Sequence, residues 1–198
     1  MTVADVRRDL VEALVRRLGA GAVSTDTAAR SVASRDYAWL SPILTEDLPD
    51  SIADVVVWPT SPSEVEFVLA EAHRHGVPVT PRGRGTGNYG QAVPLARGLV
   101  ADLTRCDRIT SITDGIADVE AGVTFARLEA AANDVGWEVA VMPSMVGSTV
   151  GGFLAGGNQG IGSIEHGSIW DGWIMGLDIV ECHAAPNGRR VGPADVAS

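Results

Sequence analysis

The residues of this chain best suited to chemistry lie between positions 81 and 91. Pro81, Arg82, Gly83, Arg84, Gly85, Thr86, Gly87, Gly90 and Gln91 bring four glycines and two guanidinium groups into one short stretch. Glycine lets the backbone turn at positive φ and come close to a ligand. Successive N–H groups in such a turn form a concavity that suits an anion. Arg adds a permanently charged, forked donor set that matches phosphate oxygens. The favoured chemistry is therefore phosphate binding, and a glycine-rich surface turn is the plain structural alternative.

The two common phosphate motifs do not fit. Gly85, Gly87 and Gly90 have the spacing of a dinucleotide fingerprint, but that motif needs a helix opening directly after the glycines. Pro94 stops any helix begun at Gly90. A P-loop needs a lysine in its turn, and the chain has none. A dinucleotide held by another strand–loop–strand arrangement survives this test. A second cluster at 147–167 carries Gly151, Gly152, Gly156 and Gly157 within a longer glycine-rich run. Ser148 or Thr149 can cap a short helix at 150–155, whose free N–H groups would also suit phosphate. The alternative here is a tight crossing of backbones.

These residues resemble the FAD-linked oxidases and dehydrogenases with a vanillyl-alcohol-oxidase (PCMH) type FAD domain, above all D-lactate dehydrogenase and the glycolate oxidase flavin subunit. The resemblance runs from about 53 to 190. It rests on Pro62-Ser-Glu-Val65, Gly76-Val-Pro-Val79, Pro81-Arg-Gly-Arg-Gly-Thr86, Thr149-Val-Gly-Gly152, Gly167-Ser-Ile-Trp-Asp171 and Gly176-Leu-Asp-Ile-Val180. It implies an α+β fold of two lobes, a parallel β-α-β lobe and a mainly antiparallel one, with FAD between them. It also adds Pro143, Ser144 and Ile179 to the cofactor-binding residues. Thr86 stands where covalent members carry a flavin-linking His, which implies non-covalent FAD. The chain departs from the family at Phe153 and Gly157, where relatives carry Asn, and Asn158 is one place off.

The elements that must position these loops can be read from periodicity. An amphipathic helix is expected over Val3–Leu18 and a surface-wrapping segment over 24–52, together an N-terminal arm of residues 1–50. Asp36–Trp39 is given no chemistry. In the first FAD-binding lobe, 51–115, Ala53–Trp58 is a buried strand. A helix then opens at a capping box formed by Ser61 and Glu64, with Pro62 in its first turn. A strand at Val77–Val79 and another at Leu99–Leu103 follow. A strand at 107–112 closes that lobe, and the second lobe, 116–198, carries a strand at 117–121, a helix over Phe125–Val135 capped by Thr124, and a strand over Trp173–Cys182. The resemblance implies that this lobe is C-terminally incomplete and the substrate domain absent, so the isolated chain would not turn over substrate.

Composition sets the remaining bounds. The chain has 198 residues, 45% apolar residues and a formal net charge of −10, which argues against a nucleic-acid surface. Cys106 and Cys182 lack metal-site spacing and read as reduced cysteines of a cytoplasmic protein. No stretch has the apolar length of a membrane span. Abundant Ala, Arg and Gly suggest a GC-rich bacterial genome. His73 and His75 read as surface residues at a helix end, His166 as a cover for the flavin, and Asp171 as a loop-fixing carboxylate.

The expected parent activity follows from the resemblance: oxidation of a 2-hydroxy acid or related alcohol by hydride transfer to FAD, with catalytic residues unassigned. The implied partners are a small-molecule substrate, an electron acceptor, and a partner subunit or further C-terminal domain. An NADPH-dependent flavin reductase on the same fold and a non-catalytic binding module stay open.

Overall fold

The computed structural model describes residues 3–39, 41–47, 51–181 and 188–191, so Cys182 and His183 lie outside the described residues. The first lobe is built on a four-stranded sheet of β1 (Val23–Ser24), β2 (Val55–Val57), β3 (Val79–Arg82) and β4 (Leu99–Asp102). Its order is β1-β2-β4-β3, with β2, β4 and β3 parallel and β1 antiparallel to β2. Side chains alternate across a strand, and the two sheet faces are covered by different helices. Val55 and Val57 join Leu99 and Ala101 in a core with Leu10 and Leu14 of α1 (Val3–Leu18) and Val68 of α4 (Pro62–Arg74). Val56 and Val100 face the other way, against Ala33 of α2 (Thr27–Ala33) and Ala53. Burial on both sides explains why β2 is apolar throughout.

Several sequence expectations are corrected here. Part of the segment expected to wrap the surface enters the fold instead: β1 pairs with β2, and α2 packs on the sheet. Buried Ser34 locks it there by accepting from Ala53 N (2.9 Å), while Arg30 Nε donates to the Ala53 carbonyl (2.6 Å). A short α3 (Pro42–Asp47) follows. The strand expected at 77–79 occupies 79–82 and runs through Pro81. A proline is tolerated because β3 is the sheet edge, where a missing N–H breaks no ladder bond. β2 is shorter than the expected 53–58. β4 stops at Asp102, whose carboxylate accepts from Thr104 N (3.0 Å) and turns the chain. The α4 cap is confirmed at Ser61, but Glu64 reaches back to the N–H and hydroxyl of Thr60 rather than to Ser61 N.

After the four-stranded sheet come two antiparallel ribbons. β5 (Ile109–Thr113) and β6 (Ile116–Val119) join through Asp114-Gly115, both at positive φ as a tight hairpin turn requires. After them come α5 (Phe125–Asn133), α6 (Val150–Ala155) and α7 (Ser163–His166), then β7 (Leu177–Val180) paired with β8 (Gly188–Val191). α5 ends two residues earlier than expected. The strand expected over 173–182 is confined to β7, because 170–173 form turns and Trp173 Nε1 donates to the His166 carbonyl (2.7 Å). Phe125, Val141, Phe153 and Ile169 form the core, with Phe125 and Phe153 edge to face at 5.1 Å.

Candidate functional site

The first glycine loop leaves the end of β3 on the carboxyl side of the parallel sheet, where α/β folds collect ligands. The backbone N–H groups of Arg84, Gly85, Thr86, Gly87 and Asn88 have no hydrogen-bond partner among the described residues. Such a run of open donors is the physical requirement for holding an anion. Arg84 is exposed and makes neither a hydrogen bond nor an ion pair among those residues. Arg82 behaves differently. Its guanidinium lies inside the turn, in the space that a side chain at Gly85 would occupy, and Gly85 has φ +63°. Arg82 Nη1 donates to the Arg35 carbonyl (2.6 Å), and its Nε lies 3.9 Å from Asp102 Oδ2. Burial lowers its pKa, against the attraction of Asp102 and Asp36. The two arginines thus divide the work between supporting the loop and facing solvent.

The structure brings the two glycine clusters together. Thr86 Oγ1 and Ser148 Oγ are 2.7 Å apart, and a Cβ at Gly83 would collide with the Thr149 hydroxyl. Gln91 braces the turn from within, its Oε1 accepting from Tyr89 N (3.1 Å) and packing under Gly87. Gly90 closes the loop at φ +79°.

The expectation of free N–H groups at the second cluster is overturned. Thr149 does cap α6, accepting from Gly152 N (3.3 Å). The preceding two amides are also taken: Val150 N donates to the Val123 carbonyl (2.8 Å) and Gly151 N to the Ala121 carbonyl (2.9 Å). α6 starts in a bridge between Thr149 and Thr124, so its first turn lies flat against residues 121–123. Gly151 admits the close approach of Ala121.

The other predicted residues are spread more widely. Exposed Pro81 sits within β3, beside the loop. Gly156 and Gly157 end α6, facing the Asn158 amide and the Trp170 ring. Pro143 and Ser144 follow Met142, which pairs with Ile161; no hydrogen bond joins either to the 82–91 loop. Ile179 lies on β7. Asp171 fixes its loop as expected, its Oδ2 accepting from Ser168 N (2.7 Å). His166 stacks edge to face on Trp173 (5.6 Å). The His75 side chain, expected at the surface, is largely covered instead, with Nε2 3.8 Å from Glu71. Sequence reasoning passed over Asp36, Tyr37 and Asp102, which carry no motif of their own. An open groove of about 510 Å³ borders the loop, lined by Ala29, Val32, Trp58, Gly83, Arg84 and Thr104 among others. No helix among the described residues is long and apolar enough to cross a membrane.

With this geometry in place, comparison with known proteins identifies the fold. Residues 53–184 match the FAD binding domain family. The chain is 32% identical over 127 residues to a D-lactate dehydrogenase of Archaeoglobus fulgidus, covering 64% of this chain and 28% of that protein. It is 34% identical over 187 residues to a 1'-carboxy-chondrochloren decarboxylase of Chondromyces crocatus, covering 88% of this chain and 30% of that one. A solved alkyldihydroxyacetonephosphate synthase superimposes with a TM-score of 0.73 at 23% identity, covering 90% of this chain and 37% of its own. The chain thus spans under a third of these curated relatives. Its fold is the two-lobed α+β FAD-binding fold of the PCMH type. The chain belongs to the FAD binding domain family, and its cofactor is FAD.

Proposed function

We propose that this chain is the FAD-binding part of a flavin-dependent oxidoreductase acting on a 2-hydroxy acid or related alcohol. The observation that supports it most is the row of open amides at 84–88 beside unpartnered Arg84, packed against Ser148 and Thr149. These groups would hold the pyrophosphate, and the adjoining groove with Trp58 in its wall offers an apolar bed for an aromatic ring. Attachment is non-covalent: the loop contains no His, and the Thr86 hydroxyl is engaged by Ser148. When bound, FAD supplies the two-electron acceptor; the chain supplies binding, orientation and fixed charge.

The relative named D-lactate dehydrogenase supports the substrate class. In this reading the alcohol carbon is oxidised to a carbonyl, losing two electrons and two protons, and an external acceptor reoxidises the flavin. The groups that hold substrate come from further polypeptide, as an additional domain or a partner subunit. A second reading, removal of a carboxylate as CO₂, is favoured by the wider span of the match to the decarboxylase. The test is a visible spectrum of the chain after incubation with FAD and desalting, followed by anaerobic addition of D-lactate or glycolate to the complete enzyme. The proposal expects a retained flavin band and its bleaching with formation of the 2-oxo acid. CO₂ release instead supports the second reading, and no retained flavin contradicts both.

A further inference from the structure

The N-terminal segment 35–38 lies against the first glycine loop, although some fifty positions separate them in the chain. Tyr37 N donates to the Gly87 carbonyl (2.9 Å), Arg82 Nη1 to the Arg35 carbonyl (2.6 Å), and Ala92 N, at a long 3.5 Å, to Asp36 Oδ2. The bond to Gly87 holds the centre of the loop, and the other two hold its flanks. Asp36 organises this contact from both oxygens. Its Oδ1 accepts from Ala38 N (2.9 Å), a local turn that presents Tyr37 N to the loop. Its Oδ2 lies under Gly87, where an added Cβ would be 3.6 Å away. The carboxylate also supports the Arg82 cation inside the turn. None of these groups accepts from the amides of 84–88.

We infer that Asp36 is a positioning residue for the FAD site, fixing the first glycine loop from the N-terminal segment so that the 84–88 amides converge on one anion. This inference rests on the site reading above. A loop with five open N–H groups loses conformational entropy when it closes on a ligand, and prior fixing removes that cost from binding. An amide at position 36 retains one acceptor oxygen, so it cannot accept at both the Oδ1 and the Oδ2 position as the carboxylate does.

The test is FAD titration by flavin fluorescence on the 198-residue chain and on Asp36→Asn and Asp36→Glu, together with amide hydrogen exchange of the ligand-free proteins. Asp36→Asn is expected to weaken FAD binding about tenfold, the loss of roughly one charge-assisted hydrogen bond. It should accelerate exchange at 84–88 while leaving β2 and β4 unchanged. Asp36→Glu should recover most of the affinity. FAD affinity equal to that of the unsubstituted chain in Asp36→Asn overturns the inference and leaves the site reading standing. Faster exchange throughout the first lobe also overturns it, since the role is then general stability. Failure of the unsubstituted chain to bind FAD contradicts the site reading and the inference with it.

Discussion

The two glycine clusters have similar composition and different surroundings. At 83–87 the glycines create a loop whose amides stay open and whose interior is filled by Arg82. At 151–162 they let backbone cross backbone: Gly151 rests on Ala121, Gly160 on the Met142 carbonyl and Gly162 on the Ala140 carbonyl. Glycine density in a sequence therefore signals close approach without saying what approaches. The difference lies in where the N–H groups go. In the first cluster those of 84–88 have no partner among the described residues, and at the start of α6 those of Val150 and Gly151 are spent on Val123 and Ala121.

Substitutions should separate the two uses. The largest effect is expected at Gly162, where φ is +91° and a Cβ would meet the Ala140 carbonyl. Gly162→Ala should lower unfolding free energy by about 2–3 kcal/mol in chemical denaturation, through strain and the displaced backbone. Arg84→Ala comes next and should act on the ligand alone. FAD affinity should fall about tenfold or more, the loss of a charged donor, with the unfolding midpoint unchanged. Were Arg84→Ala to destabilise the fold and spare FAD binding, the division drawn here would be wrong.

Thr149 lies at the junction and should show both effects weakly. Thr149→Val removes the acceptor for Gly152 N and should cost about 1 kcal/mol of stability. FAD affinity should change less than for Arg84→Ala. The effect that vanishes at neutral pH concerns ionisation. Burial pushes the Cys106 thiol up to about 11 from an ordinary 9.0. Both folded and unfolded thiols are protonated below pH 9, so the thiol does not alter stability there. Between pH 9 and 11 the unfolded thiol ionises first, so stability should fall as pH rises through that window. Cys106→Ala should flatten that slope in denaturation curves, and FAD affinity at neutral pH should be unaffected.

Much of the scaffold was legible because local chemistry and tertiary role agreed. Ser61, Pro62 and Glu64 announce α4, Thr124 announces α5, and the Val55–Val57 run announces a strand buried on both faces. The first loop was legible as a candidate anion site because it joins glycines to two arginines. Three features were not. The shift of β3 to 79–82 depends on its being the sheet edge, a property of topology and not of Pro81 itself. The spent amides of α6 depend on its lying against residues 121–123. The contact of Asp36 and Tyr37 with the loop runs to backbone partners, the Gly87 carbonyl and Ala92 N, which leave no mark on residue identity.

The most direct test of the central claim is residue-resolved hydrogen exchange of the 198-residue chain with and without FAD. Open amides exchange freely until a ligand accepts from them, and amides already bonded change little. The account predicts strong FAD-dependent protection at Arg84–Asn88, and slow exchange at Val150–Gly152 in both states. FAD binding that protects Val150–Gly152 while leaving 84–88 unprotected would contradict it.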